Sequence, residues 1–279
     1  MQIRACLHYA TTQLGDSDSP RLDAELLLGH VLAKPRSYLF SWPERELDAA
    51  TLAQFEALLR QRVQGMPVAY LLGYREFWGL ELQVSPATLI PRPDTERLVE
   101  LALERIALDK PARILDLGTG TGAIALAIAS ERPLAQVLAA DISPAALTLA
   151  KSNCERLGFK HIECILSDWF SAIPSGSRFD LIVSNPPYLP DSDPHLQQGD
   201  VRFEPRSALA AGDDGLADIR HLLEQAPRFL QAEGWLLFEH GYDQGAATTH
   251  LLQAAGYRQV QCHQDWAGHD RVSGGLRPA

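Results

Sequence analysis

Apolar and polar positions change rhythm twice along this chain. Through about residue 73 the rhythm is helical. Residues 20–32 carry an apolar stripe at helical spacing behind Ser19, a candidate N-cap. Residues 48–63 repeat the pattern through Leu52, Phe55, Leu58, Leu59 and Val63. Residues 76–84 then partly alternate around a glycine, which predicts a short hairpin connector. At Pro91–Glu96 a new element begins, with Thr95 or Asp94 placed to cap a helix through Leu98, Leu101, Ala102 and Ile106.

From about residue 111 short apolar runs alternate with helical segments, the signature of a parallel α/β sheet. The runs predict strands at 113–117, 135–140, 161–166, 180–184, 234–239, 257–262 and 270–275. Helices are expected at 123–130, 144–157, 217–231 and 244–255. Residues 189–215 are rich in Pro, Asp and Gly and have little periodicity, and a loop of that length is usually functional or mobile.

Composition narrows the setting. The chain is 46% hydrophobic and 22% charged, a soluble globular profile, and no run approaches the roughly 18 apolar residues of a membrane span. The first residues lack the apolar core of a signal peptide. Cys6, Cys154, Cys164 and Cys262 lie far apart with no C-x-x-C pair, so reduced thiols in a cytoplasmic protein, with no metal site, are expected. His8 and His30 read as packing or surface residues. A net charge of −10 opposes binding to nucleic acid or anionic membrane.

Two segments carry candidate chemistry. Asp116-Leu117-Gly118-Thr119-Gly120-Thr121-Gly122-Ala123 joins a predicted strand to a predicted helix. Glycines there let the backbone approach a ligand, with a helix N-terminus behind them. Asp141 follows Gly122 by 19 residues, at the end of the next strand, where a carboxylate can accept both ribose hydroxyls of a nucleoside. A dinucleotide such as NAD and S-adenosylmethionine both fit that outline. Asp116 favours the second, since it suits an ammonium better than a pyrophosphate. Asp168-Trp169, after the third strand, offers an acid and an aromatic to an adenine, although Trp169 reads equally as core.

The second segment is Asn185-Pro186-Pro187-Tyr188, just past the strand at 180–184. Neither proline has an N–H, and each holds φ at about −65°. Asn185 is biased toward an extended backbone by the proline after it. The result is a stiff rim of carbonyl oxygens and one side-chain amide, acceptors suited to a planar –NH2 group with two donors. A surface Pro-Pro turn closing a strand would carry the same letters.

Glycine loop, acidic strand end and N-P-P-Y together look like the class I methyltransferases that modify planar nitrogen. Further stretches resemble the peptide chain release factor glutamine N5-methyltransferases. They are residues 21–28, Pro67–Gly73, Glu76–Leu80, Leu89–Glu96, Phe203–Pro205 with Ala208-Leu209 and Gly212–Leu216, and Asp270–Val272. N-P-P-Y is shared with adenine-N6 methyltransferases. Pro91–Glu96 reads differently in the sister enzymes that methylate a ribosomal-protein glutamine.

The resemblance implies a Rossmann-like class I methyltransferase domain with a seven-stranded, mostly parallel sheet, a small N-terminal helical bundle and a β-hairpin connector. The expected division is 1–73 for substrate docking, 74–90 for the linker and 91–279 for catalysis. S-adenosylmethionine would be held by Gly118, Thr119, Gly120, Thr121, Gly122, Asp141, Trp169 and Asn185. The glutamine of a Gly-Gly-Gln segment would be gripped by Asn185 through its side-chain oxygen and Pro186 through its carbonyl, in a slot shaped by Pro187 and Tyr188. The partner would be a class 1 release factor, the enzyme a monomer. An adenine-N6 nucleic-acid methyltransferase is the principal rival. It would need a basic groove, whereas residues 74–279 carry 18 Lys and Arg against 27 Asp and Glu. A dinucleotide-dependent oxidoreductase and a non-catalytic binding module are the other readings.

Overall fold

A computed structural model describes residues 1–278. The chain divides into two compact units, one formed by Met1–Tyr74 with Gln197–Phe203 and the other by Arg75–Leu196 with the residues from Glu204 on.

The first unit is helical: α1 (Ile3–Gln13), α2 (Pro20–Leu32), α3 (Arg36–Ser41), α4 (Ala49–Val63) and α5 (Val68–Leu72). Ile3, Leu7, Leu27, Leu28, Leu39 and Phe55 are buried in its core. Ser19 does not cap α2 with its side chain. Its hydroxyl, and that of Ser17, donate instead to the buried carboxylate of Asp23. Arg62 also donates to Asp23, at 2.7 Å, and reaches Asp200 at 2.7 Å on its other side. That pair ties the 197–203 segment to α4 across 138 positions of sequence.

The second unit begins with the hairpin β1 (Tyr74–Phe77) and β2 (Leu80–Gln83). Trp78 and Gly79 turn it with φ of 55° and 69°, the left-handed pair that a two-residue hairpin requires. The remaining elements are α6 (Thr95–Glu104), β3 (Ala112–Leu117), α7 (Ala123–Glu131), β4 (Ala135–Asp141), α8 (Pro144–Leu157), β5 (Glu163–Leu166), β6 (Phe179–Ser184), α9 (Ala217–Gln225), β7 (Leu230–Glu239), α10 (Gly245–Ala254), β8 (Arg258–Gln264) and β9 (Asp270–Leu276). The sheet has seven strands in the order β5-β4-β3-β6-β7-β9-β8. All pairs are parallel except β7–β9 and β8–β9. One face packs on α6 and α7, the other on α9 and α10 through Ile219, Leu222, Leu223 and Leu252. Every residue of α7 from Ala123 to Ala129 is buried, and four of them are alanines small enough for close packing on the sheet.

The expected helix 217–231 stops at Gln225. Pro227 has no N–H to continue it, so a short 3-10 turn, Ala226–Arg228, leads into β7 at Leu230, four residues before the expected strand start. Neither Asp94 nor Thr95 caps α6 with its side chain. The Thr95 hydroxyl is committed elsewhere, as described below. Residues 189–215 contain three short 3-10 turns, Pro194–Gln197, Val201–Phe203 and Arg206–Ala208. No helix among the described residues is long and apolar enough to cross a membrane.

Candidate active site

Strand order reverses between β3 and β6. In open parallel sheets ligands bind at the carboxyl ends of the strands at such a point. β3 ends in the glycine loop and β6 ends at Asn185, with Leu117 and Ser184 paired in register and the Ser184 hydroxyl donating to the Leu117 carbonyl at 2.8 Å. The two candidate segments therefore meet at one place. A cavity of about 510 Å³ opens there, within the range of small-molecule sites.

The glycine loop is shaped by backbone. Gly118, Gly120 and Gly122 have φ of 73°, 55° and 84°, which side-chain-bearing residues rarely adopt. The N–H groups of Gly118 and Thr119 both donate to the Ala140 carbonyl on β4, which pins the turn. Asp116 is fully buried beneath it and accepts the Thr119 hydroxyl at 2.6 Å. Its other oxygen has no hydrogen-bond partner. Burial pushes the carboxyl up to about 7, against the opposing pull of the Thr119 hydrogen bond. Asp116 lies beneath the loop and is not among the residues that line the cavity.

Asp141 ends β4 and faces the cavity. One carboxylate oxygen accepts the Gly120 N–H at 2.9 Å and the other the Ser143 N–H at 2.8 Å. A carboxylate offers about four lone-pair sites, so acceptor capacity remains on both oxygens. Asp168 and Trp169 also line the cavity. Trp169 has a φ of 48°, a strained conformation for a bulky residue and one that concentrates at functional sites.

Asn185 and Pro187 line the cavity, as do Gly118, Thr119, Gly120 and Thr121. Gly122, Pro186 and Tyr188 do not. Pro186 is buried. Tyr188 works behind the rim: its hydroxyl donates to Glu239 at 3.2 Å and its carbonyl accepts the Gln244 side chain at 2.9 Å. A Cβ on Gly215, whose φ is 71°, would stand 2.2 Å from that carbonyl, so only glycine fits there. This packing closes the 189–215 loop back on the rim, and Pro205, Ser207 and Ala208 from the loop complete the cavity wall.

Four positions of the Pro91–Glu96 stretch make long-range contacts, among them Asp94, which pairs with Arg271 at 3.6 Å. Arg92 pairs with buried Glu204 at 2.7 Å. The Glu96 carboxylate accepts the Trp78 N–H at 3.0 Å and so holds the hairpin. The Thr95 hydroxyl donates to Glu239 at 2.7 Å and accepts the Asn185 side-chain amide at 3.1 Å. Glu239 is buried and raised to about 7, chiefly by burial, opposed by the Thr95 hydrogen bond and the charge of Arg271. Sequence reasoning took Thr95 for a cap and missed Glu239. The only available signal was an acid at the end of an apolar strand, where a carboxylate needs a partner. Among the described residues no group of three or more His, Cys, Asp or Glu is arranged to hold a metal ion.

This sheet, with a glycine loop after its first strand and an acid after its second, is the fold of a class I methyltransferase. Residues 108–271 match the family model of a methyltransferase domain, and residues 5–73 that of the PrmC N-terminal domain. The release factor glutamine methyltransferase of Vibrio cholerae is 58% identical over 273 residues, covering 97% of this chain and 95% of that protein. Its counterpart in Escherichia coli is 52% identical over 273 residues, 98% of each. This chain belongs to the release factor glutamine methyltransferase family. Among solved structures, the hMettl16 catalytic domain aligns over 79% of this chain and 81% of its own, with a TM-score of 0.58 at 17% identity, a likeness of fold alone.

Proposed function

We propose that this enzyme transfers a methyl group from S-adenosylmethionine to the side-chain amide nitrogen of the glutamine in a Gly-Gly-Gln segment of class 1 peptide chain release factors. The observation that carries the reading is the Asn185 side chain. Its –NH2 end is engaged by Thr95, which leaves its oxygen as an acceptor at a cavity that also holds the glycine loop and Asp141. The relatives from Vibrio cholerae and Escherichia coli carry the name release factor glutamine methyltransferase.

The cavity suits the donor. Its volume matches a small-molecule site, Asp141 retains acceptor capacity for ribose hydroxyls, and Asp168 and Trp169 can bind and flank an adenine. Bound there, the sulfonium of S-adenosylmethionine would supply an electrophilic methyl group. An amide nitrogen is a poor nucleophile because its lone pair is delocalised. Asn185 accepts one of its N–H groups, and the family resemblance assigns the other to the carbonyl of Pro186, a buried residue behind the cavity lining; together they orient the nitrogen and favour the positive charge it gains. Positioning supplies much of the rate. The N-methylated amide cation then gives its extra proton to water, so no general base is required. Products are S-adenosylhomocysteine, N5-methylglutamine and a proton, without a metal.

In this reading residues 1–73 dock the substrate protein, 74–90 link and 91–279 catalyse, in a cytoplasmic monomer that engages no nucleic acid. The deciding experiment is mass spectrometry of a release factor incubated with the protein and S-adenosylmethionine. One methyl group on the Gly-Gly-Gln glutamine is expected, and none after that glutamine is replaced by alanine. Labelling of adenine in DNA instead would favour the nucleic-acid enzyme.

A further inference from the structure

Side-chain amides have two chemically opposite ends of nearly equal size. The reaction proposed above works only if Asn185 presents its oxygen to the acceptor, so something must forbid the flipped amide. The structure contains such a device. Thr95, on the first turn of α6, and Glu239, at the end of β7, lie 144 positions apart and are both buried.

The chain of donors runs one way. Above its raised value of about 7 Glu239 is a carboxylate, which only accepts hydrogen bonds. Glu239 accepts the Tyr188 hydroxyl on one oxygen and the Thr95 hydroxyl on the other. Thr95 has a single hydroxyl proton, and it is spent on Glu239. What remains on Thr95 is lone pairs, which can only accept. The Asn185 group 3.1 Å away must therefore be the –NH2 end. A flipped amide would set oxygen against oxygen in a buried place and forfeit the hydrogen bond. The charge of Arg271, its guanidinium mostly buried, pulls Glu239 toward the carboxylate form against the burial that raises it.

We propose that Thr95 and Glu239 are positioning residues that lock the Asn185 side-chain amide with its oxygen toward the acceptor nitrogen. The assignment rests on the methyl-transfer reading and gives Thr95 of the Pro91–Glu96 stretch a specific task. Glutamine at 239 would break the lock, because its own –NH2 can donate to Thr95 and free the Thr95 proton for the Asn185 oxygen. Valine at 95 would remove it outright, and serine at 95 would keep it.

The test has two arms. In the first, the enzyme without acceptor is 15N-labelled and the Asn185 side-chain protons are followed by NMR at about pH 8, where Glu239 is ionised. Wild type and Thr95→Ser should show one Asn185 amide proton protected from exchange with water, and Thr95→Val and Glu239→Gln should lose that protection. In the second arm, single-turnover methylation of a release factor should fall on the order of ten- to a hundredfold in Thr95→Val and Glu239→Gln, the scale of lost positioning. Thr95→Ser should stay near wild type, and S-adenosylmethionine affinity by calorimetry should hold in all three. Persistent protection in Thr95→Val, or wild-type transfer in Glu239→Gln, would overturn the proposal. So would a fall in cofactor affinity that matches the fall in rate, since the pair would then be merely structural. A wild-type enzyme that methylates no glutamine would sink the functional reading alone, and the exchange arm would still decide how Asn185 is oriented.

Discussion

Asn153 and Gln83 hydrogen-bond each other twice, as two residues of paired strands do. The Gln83 N–H donates to the Asn153 side-chain oxygen at 2.7 Å, and the Asn153 –NH2 returns a bond to the Gln83 carbonyl at 3.0 Å. The same –NH2 donates to the Thr121 carbonyl at 3.0 Å. One fully buried amide on α8 thus fastens both the hairpin strand β2 and the glycine loop. Alanine at 153 would leave buried backbone groups unpaired. Asn153→Ala is expected to lower unfolding stability by about 2 kcal/mol, measured by urea denaturation. Cofactor affinity should weaken with it, because Thr121 loses its anchor.

Asp141 and Asn185 line one cavity but should fail differently. Asp141→Ala removes charge-assisted acceptors from the cofactor and should weaken S-adenosylmethionine binding by about 1–3 kcal/mol in calorimetry. Asn185→Ala is expected to remove a pre-organised group that chiefly grips the acceptor amide. The chemical step should slow by about a hundredfold or more while cofactor affinity changes little. Equal cofactor affinity in the Asp141 variant, or near-normal single-turnover rates in the Asn185 variant, would contradict these roles.

Local features were the legible ones. Glycine spacing, the acid at 141 and the Asn-Pro-Pro turn are readable because a strand, a tight turn and a helix start each leave a pattern within a few residues. Strand positions in the sheet followed from apolar runs of parallel-strand length. What stayed hidden was set by contacts across the fold. Thr95 had the look of a helix cap, yet its hydroxyl is claimed by Glu239 far along the chain. Ser19 lost its capping role to Asp23 in the same way. Nothing near Asp200 in sequence announces that it belongs with Arg62. Burial of a charged group overrides local preference because leaving it unpaired costs more than a cap contributes.

A docking role for the helical residues 1–73 is expected because Gly-Gly-Gln offers almost no surface by which to select one glutamine. A chain beginning at Tyr74 should retain S-adenosylmethionine binding. It should lose most kcat/KM toward an intact release factor and far less toward a short Gly-Gly-Gln peptide. Equal efficiency toward the intact factor would make those helices a stabilising cap only. Within that unit the Arg62–Asp23 pair is nearly buried, with 11% and 6% of the side chains exposed. Arg62→Leu in the full chain should cost about 3 kcal/mol by stranding the carboxylate, read as a lower denaturation midpoint.

Two buried carboxyls set the pH dependence of stability. Glu239 is raised from its ordinary 4.5 to about 7 and Asp116 from 3.8 to about 7, each mainly by burial. Around Glu239, the hydroxyls of Thr95 and Tyr188 and the charge of Arg271 pull downward, and Asp94 pushes upward. In the interval between the ordinary and the raised values the folded chain holds protons that the unfolded chain has released. More protons bound in the folded state means that stability falls as pH rises. The loss should run from about pH 4.5 to about pH 7 and then level off, on the order of 3 kcal/mol for Glu239, at 1.36 kcal/mol per unit. Glu25 acts in the opposite sense. Arg36 and Arg21 hold its carboxyl below the ordinary value despite burial, so its contribution is present above that value and is lost in acid. Urea denaturation at several pH values should show this contribution as a decline in wild type relative to Glu239→Gln and to Asp116→Asn, whatever their absolute stabilities. His240 and His263, both held below the ordinary 6.5 by burial, act in the opposite sense over the same interval, so it is the difference that decides: variant profiles parallel to wild type would mean that neither carboxyl retains its proton in the folded enzyme.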